Sequence, residues 1–315
     1  MANVSHEVED TESDLLKASD DTTSKDQPCD GVALTLTPKS KDLGGFSVRR
    51  ALPSAQQRKI GPWIFFDHAG PATFEPGDGV DVRPHPHINL ATVTYMFEGQ
   101  FLHQDSIGSV QVIKPGDINL MVAGRGIVHS ERTPDDLRAS GHTLHALQLW
   151  LALPEEDEEI SPAFYHYPAE DLPTTEVNGV TVRVMMGAAY GLTSPVKTFA
   201  ETLYIEADLK AGQSLELPVA EERGLYVAKG QVTTAGTAID EFTLAVLNDK
   251  PAIVIEARID SRVALVGGEA LSERFIEWNF VSSRKERIEQ AKADWKAGRF
   301  DKVPGDDEEF IPLPE

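Results

Sequence analysis

The sequence predicts an all-β protein made of two β-barrel (jelly-roll) domains, followed by a C-terminal helix. Three observations lead to this fold class. Short strand-like runs alternate with Gly- and Pro-containing turns from about residue 31 onward, the pattern returns in the second half, and one clear helical pattern closes the chain. Many short strands at this spacing are typical of a sandwich or barrel rather than of alternating strands and helices. A chain of 315 residues is also long enough for two domains of ordinary size.

The first domain is expected over residues 31–165, where turn sequences such as EGQ (98–100) and KPGD (114–117) separate short apolar runs. The strand-like runs of this half cover residues 90–97, 110–113, 118–122, 126–130 and 145–153. The acidic run PEEDEE (154–159) and the proline-containing stretch that follows it are interpreted as a linker with one short helix.

The second domain is expected over residues 176–315, because the strand-like pattern resumes there. Its runs cover residues 181–186, 202–209, 224–235, 242–247 and 252–257. The segment YMFEGQ (95–100) resembles YVAKGQ (226–231) at an offset of 131 residues, which indicates a duplicated β-domain. A helix is predicted over residues 283–297, since Ser283 and Glu286 have capping-box spacing and a glycine follows at its end.

The composition restricts the class of protein. Residues 1–30 carry nine Asp or Glu against two Lys, which predicts a disordered acidic tail. The net charge of −22 argues against direct binding to nucleic acid, because phosphate contacts need clustered Lys and Arg. The N-terminus lacks the features of a signal peptide, no apolar run is long enough to cross a bilayer, and the single Cys29 cannot form an internal disulfide. We therefore expect a cytoplasmic protein without a membrane partner.

The nine histidines are concentrated in the first half, and none lies beyond residue 166. Side chains two residues apart on a strand point to the same face, with Cα atoms roughly 6.5–7 Å apart. His85 and His87 therefore present two imidazoles together, and His129 and Glu131 present an imidazole and a carboxylate. A lone His-x-His pair is often a coincidence, but two adjacent strands carrying both pairs bring four ligands to one metal ion. Such a site leaves one or two positions for water, oxygen or substrate.

The residues around these candidate ligands match a known family. Gly79, the pair His85-x-His87 and Gly99 resemble the first motif of the cupin superfamily. Closer similarity to the pirin family within the cupins is found in residues 65–71, 85–99, 123–131, 147–154 and 278–314. The resemblance covers roughly residues 35–315 and implies a bicupin, that is, two cupin barrels in one chain.

The resemblance to pirins also implies a metal and its ligands. In that family the residues that match His85, His87, His129 and Glu131 hold a single iron in the N-terminal cupin. We therefore expect one Fe(II) ion per chain, although another divalent first-row metal is compatible with these ligands. Where the first cupin motif usually supplies a glutamate ligand, this sequence has Ala91-Thr92, and the carboxylate follows later as Glu131.

The second cupin of pirins has lost its metal site, which agrees with the absence of histidine beyond residue 166. A shift of 131 residues takes His85 to Glu216 and His87 to Pro218. We therefore expect no metal in the C-terminal domain.

The function implied by the resemblance is that of a metal-dependent quercetin 2,3-dioxygenase, which opens a flavonol ring with O₂. Glu131 is then the catalytic base as well as a ligand, and the partners are a flavonol-like small molecule and O₂. The alternative is a non-catalytic, iron-binding, redox-sensing regulator that binds a partner protein. A structural zinc site is less favoured, because such sites are usually closed by four ligands and rich in Cys.

Other polar and aromatic residues rank below these ligands. Asp67 and His68 are expected to form a structural hydrogen-bonded pair, and His103 to be a solvated strand residue or to line the pocket mouth. His145 is expected to be a core histidine or to support a metal ligand. Pocket walls or ordinary core packing explain Phe65, Phe66 and Met121 equally well.

Overall fold

A computed structural model of the chain describes residues 31–42 and 46–314. The acidic tail predicted over residues 1–30 lies outside the described residues. Within the described part, no helix is both long and apolar enough to span a membrane.

The elements of the first half are mostly short strands. In chain order they are β1 (Val32–Leu36), β2 (Lys39–Asp42), β3 (Ser47–Leu52), β4 (Trp63–Phe74), β5 (Asp81–His87), β6 (Leu90–Glu98), β7 (Phe101–Asp105), β8 (Val110–Ile113), β9 (Ile118–Val122), β10 (Ile127–Arg132), α1 (Asp135–Ser140), β11 (His142–Ala152) and β12 (Ala163–Tyr167).

The second half continues in the same way and ends in a longer helix. Its elements are β13 (Thr174–Val177), β14 (Val180–Met186), β15 (Ala188–Ala189), β16 (Leu192–Thr193), β17 (Thr202–Leu209), β18 (Ser214–Leu217), β19 (Glu222–Lys229), β20 (Gln231–Thr234), β21 (Thr237–Asp240), β22 (Leu244–Leu247), β23 (Ile253–Ala257), β24 (Ser261–Gly268), β25 (Phe275–Glu277), β26 (Phe280–Ser282) and α2 (Lys285–Lys296).

Each half builds one barrel from a seven-stranded and a four-stranded antiparallel sheet. The sheets of the first barrel have the orders β12-β9-β6-β11-β4-β3-β2 and β5-β10-β7-β8. Those of the second have the orders β1-β22-β19-β24-β17-β14-β13 and β18-β23-β20-β21. The strand β6, which carries Tyr95, and the strand β19, which carries Tyr226, occupy equivalent places in the two seven-stranded sheets. The duplication indicated by the 131-residue offset is therefore present in the topology.

The first described strand joins the second barrel. β1 pairs antiparallel with β22, with Leu36 opposite Leu244. Residues 32–36, which the sequence analysis places at the start of the first domain, thus extend the sheet of the C-terminal half and tie the two halves together.

The two seven-stranded sheets pack face to face. Alternate residues of β6, such as Val93 and Tyr95, share one buried cluster with Tyr204 and Tyr226 of the other sheet. The indole Nε1 of Trp63 donates across the same interface to the Gly267 carbonyl, 3.0 Å away. The four-stranded sheets therefore form the far walls of the molecule, and the first of them carries the candidate ligands.

The C-terminal helix spans Lys285–Lys296, inside the predicted limits 283–297. Its predicted capping box does not form, because the Ser283 hydroxyl donates instead to Glu158 Oε2, 2.8 Å away. The helix buries Ile288 and Ala291 against Ile88 and Phe280, next to the end of β5.

The segment predicted to be a linker is anchored tightly. Its 3₁₀ turn spans Glu155–Asp157, and the next residue, Glu158, is buried. Glu158 Oε1 lies 2.8 Å from Arg274 Nε in an ion pair between buried side chains. The segment therefore fastens the end of the first barrel to the C-terminal region.

Candidate metal centre

Two neighbouring strands of the first barrel carry the three candidate histidine ligands. β10 pairs antiparallel with β5, with His129 opposite His85 and Ile127 opposite His87. Strand alternation turns all three imidazoles to the same face. Their ring centroids lie 4.3 Å apart for His85 and His129, 5.1 Å for His87 and His129, and 5.0 Å for His85 and His87. One nitrogen of each lies within 4.8 Å of the others, so the three can share one ion.

A β-bulge interrupts this strand pair beside the ligands. His129 stands opposite His85, but Glu131 stands opposite Val82, so β5 has one residue more than β10 over this stretch. Bulges bend a strand and re-aim its side chains, and they are frequent next to active sites. The bulge therefore sets the direction of the ligands on both sides of it.

Two of the histidines are oriented by backbone carbonyl groups. His85 Nδ1 donates to the Arg83 carbonyl at 2.9 Å, and His87 Nδ1 donates to the Asn279 carbonyl at 3.0 Å. With the proton on Nδ1, each ring keeps a lone pair on Nε2 for a metal. Both ring nitrogens of His129 are buried without a hydrogen-bond partner among the described residues.

Glu131 lies beside the three histidines, on the same face of β10 as His129. Its Oε1 is 3.5 Å from His129 Nδ1, and its Oε2 is buried without a hydrogen-bond partner in the described part of the chain. The group of mutually close ligand atoms consists of the three histidines. The structure places the Glu131 carboxylate next to the histidines, and its role as a fourth ligand stays a prediction.

Burial keeps the cluster neutral. It lowers the pKa of His85 to about 4 and moves the pKa values of His87 and His129 well below their usual range. Burial also raises the pKa of the Glu131 carboxyl to about 8. Unprotonated imidazoles are the form that binds metals, and a dication would give the orphaned atoms of His129 and Glu131 a partner. The donor set therefore fits a first-row metal ion.

His103 lies next to the candidate ligands, with its ring centroid 5.3 Å from that of His129. It is 5% exposed rather than solvated, and it stands opposite Glu131 on β7. Its Nε2 lies 3.0 Å from Asp105 Oδ2, and Asp105 Oδ1 in turn accepts backbone N–H bonds from Ile107 and Ser109. The same rule that pairs His85 with His87 would have found the pair His103-x-Asp105.

Asp67, His68 and His145 have structural roles away from the ligand strands. Asp67 does not pair with His68 but forms a bidentate ion pair with Arg50, in which both hydrogen bonds are 2.8 Å long. His68 contacts the Tyr226 hydroxyl at 2.7 Å and His145 Nε2 at 2.6 Å. This hydrogen-bonded chain belongs to the interface between the two barrels.

Aromatic side chains line the interior of the first barrel next to the ligands. Phe65 stacks on Trp150 with ring centroids 4.0 Å apart, and Trp150 meets the His87 ring edge-on at 5.0 Å. Met121 belongs to the same buried cluster, whereas Phe66 lies in the core between the two barrels. The candidate centre is therefore flanked by a flat apolar wall.

The second barrel has apolar side chains at the corresponding places. β18 and β23 hold the positions in its four-stranded sheet that β5 and β10 hold in the first. Their buried residues belong to the hydrophobic core of that barrel: Leu215, Leu217, Ile253, Ile255 and Ala257. Glu216, which the 131-residue shift aligned with His85, points outward and is exposed.

The first barrel has three imidazoles converging on its inner wall, and the second barrel, of the same topology, has an apolar interior. This architecture defines a bicupin, and in the described part of the chain its first barrel holds the candidate metal centre. The chain belongs to the pirin family: the pirin profile matches residues 45–151, and that of the pirin C-terminal cupin domain matches residues 204–301. The family and the two-barrel fold predicted from the sequence are both confirmed.

Similar proteins occur in bacteria and in animals. A pirin-like protein of Caulobacter vibrioides is 48% identical over 289 residues, which are 90% of this chain and 100% of the relative. A Pseudomonas aeruginosa protein named putative quercetin 2,3-dioxygenase is 40% identical over 89% of this chain and 90% of its own length. Human pirin is 31% identical, over 84% and 92% respectively.

Solved structures show the same architecture. A crystal structure of quercetin 2,3-dioxygenase from Acinetobacter baumannii superposes with a TM-score of 0.84 at 36% identity, covering 90% of this chain and 95% of that one. A bacterial pirin from Escherichia coli in complex with nickel(II) shares the fold with a TM-score of 0.60 at 23% identity, covering 76% and 99%.

Proposed function

We propose that the protein is a metal-dependent dioxygenase of the quercetin 2,3-dioxygenase type, which opens a flavonol ring with O₂. The observation that carries this proposal is the convergence of three buried imidazoles, beside an unpartnered carboxylate, in an aromatic-lined barrel. The names of the Pseudomonas relative and the Acinetobacter structure support the same reaction class.

His85, His87 and His129 would hold the metal, with Glu131 as the fourth ligand. Imidazole and carboxylate suit several divalent first-row ions, and iron is the ion we propose, one per chain. When bound, such an ion supplies a Lewis acid that lowers the pKa of a substrate hydroxyl and a position that holds the reactants together.

The protein side chains then have separate tasks. Glu131 accepts the proton of the flavonol 3-hydroxyl on its carboxylate, which the neighbouring dication would keep ionised. Trp150, which meets the His87 ring and is backed by Phe65, offers an apolar surface for a planar aromatic substrate. The carbonyl groups of Arg83 and Asn279 keep the His85 and His87 rings fixed while the substrate enters.

The test is turnover of quercetin by protein loaded with iron. Oxygen uptake, loss of flavonol absorbance and release of carbon monoxide should proceed together in the wild type and disappear in His129→Ala. If fully loaded wild-type protein leaves quercetin and related flavonols unchanged, the dioxygenase proposal is wrong and the alternative of a partner-binding regulator takes its place.

A further inference from the structure

The last residues of the chain, 301–314, follow α2 without forming a further helix or strand and run across the strands that carry the metal ligands. We propose that this segment, here called the C-terminal strap, is a positioning element of the metal centre. It holds β5 and β10 from the outside, at the bulge that directs the ligands. This inference rests on the metal centre proposed above, but not on the reaction.

The strap reaches the outward-facing residues of β10. Ser130 and Arg132 alternate with His129 and Glu131 along the strand, so the first pair points away from the barrel interior. Asp306 Oδ2 accepts a hydrogen bond from the Ser130 hydroxyl at 2.7 Å and one from Arg132 Nε at 3.0 Å. Asp306 Oδ1 accepts another from Arg132 Nη2 at 2.7 Å. One carboxylate thus fixes both neighbours of Glu131.

The strap also reaches β5. The Ile311 N–H donates to the Pro84 carbonyl at 2.9 Å. Pro84 lies in the bulge and directly precedes His85, so this bond satisfies a carbonyl that the disrupted ladder leaves available. The Ile311 carbonyl in turn accepts a bond from Trp295 Nε1 of α2 at 3.1 Å. The contact on β5 is therefore held in place by the C-terminal helix.

Further contacts fix the strap to the rest of the protein. Val303 is 1% exposed, and Arg132 also bonds Glu309 at 2.9 Å. The strap thus bonds both β5 and β10 next to the bulge, where the hydrogen bonds between the two strands fix their register least. Groups that hydrogen-bond directly to a metal ligand change metal affinity by roughly 10–100-fold when removed. Asp306 bonds the residues on either side of Glu131 rather than a ligand, so we expect an effect at the lower end of that range.

The experiment compares Asp306→Ala with Asp307→Ala, its neighbour in the strap. Asp307 is exposed and pairs with Lys302, at 3.4 Å. Each full-length protein is loaded with Co(II) alone, whose visible absorption reports coordination geometry, and metal release to a chelator is timed. We expect altered Co(II) bands and roughly 10-fold faster release in Asp306→Ala, with wild-type behaviour in Asp307→Ala.

The outcomes separate this inference from the proposal on which it rests. If Asp306→Ala loses thermal stability but keeps the wild-type Co(II) spectrum and release rate, the strap has only a structural role and the inference is wrong. If Asp306→Ala does not fold, Ser130→Ala removes a single hydrogen bond and should shift both readouts in the same direction, and an unchanged spectrum would again overturn the inference. Wild-type protein that binds no Co(II) would overturn the metal centre itself and the inference with it.

Discussion

His129 is the residue whose surroundings point most directly to a metal. Its two ring nitrogens are buried without a partner among the described residues, while His85 and His87 each donate one N–H to a backbone carbonyl. A buried polar group without a partner costs about 1–3 kcal/mol. A bound cation would offset that cost at His129 and at the neighbouring Glu131.

Replacing His129 or His87 by alanine should therefore strip the metal, because each change removes a ligand nitrogen from a set of three. Elemental analysis of purified wild-type protein should give about one first-row ion per chain, and each variant should retain a small fraction of it. His142→Ala is the control, because His142 stacks on Phe74 with ring centroids 5.0 Å apart and is not on a ligand strand. Unchanged metal content in His129→Ala would exclude the proposed site.

Glu131→Gln separates metal binding from proton transfer. Glutamine keeps the size and one oxygen donor but removes both charge and basicity. The variant should hold a measurable share of iron through its histidines, while turnover of quercetin falls by roughly 10²–10⁴-fold, as expected for loss of a general base. Oxygen uptake is compared with wild type at matched iron loading, and full activity would rule out Glu131 as the base.

At the scale of elements, local patterns predicted most of the strands and the pairing of side chains on the candidate ligand strands. Alternation with period two is a property of neighbouring residues, so His85-x-His87 and His129-x-Glu131 could be recognised without knowing the fold. The predicted capping box of α2 failed for the opposite reason. Ser283 bonds Glu158, which lies 125 residues away, and such a competitor cannot be seen in the local sequence.

The same limit explains what else could not be predicted. The Asn279 carbonyl that orients His87 is 192 residues distant, and Asp306 meets Ser130 across 176 residues. β1 joins the second barrel although it precedes the first. These contacts depend on how complete elements pack against each other. The local sequence contains no periodic pattern that would reveal them.

The anchored segment after β11 supplies a prediction at this scale. Glu158→Ala should lower the free energy of unfolding by about 3–5 kcal/mol, because it leaves the buried guanidinium of Arg274 without its counter-charge. Glu156→Ala, two residues earlier and exposed, should change it by at most about 0.5 kcal/mol. Urea unfolding of metal-loaded proteins measures both. Equal effects would mean that the segment is the simple linker expected from its composition.

At the scale of the whole molecule, the interface between the seven-stranded sheets contains a buried carboxyl group, that of Glu206, within an apolar core. Glu206 lies on β17, two residues from Tyr204, whose hydroxyl donates to Glu206 Oε1 at 2.9 Å. Tyr204 meets Tyr95 of the first barrel with ring centroids 6.3 Å apart. The protonation of Glu206 is therefore coupled to the packing of one barrel on the other.

Burial raises the pKa of Glu206 to about 7 in the folded protein, although hydrogen bonds from Tyr95 and Tyr204 oppose the shift. Because the folded state holds this proton more tightly than the unfolded chain, the associated stability is present below the unfolded value of 4.5 and is lost as pH rises through about 7.

Glu206→Gln keeps the acceptor for Tyr204 but cannot ionise. Its unfolding free energy, relative to wild type, should grow by on the order of 3 kcal/mol between pH 4.5 and pH 8. Glu176→Gln, at an exposed position on β13, should run parallel to wild type in the same urea series. If Glu206→Gln runs parallel as well, the carboxyl does not link pH to the packing of the two barrels.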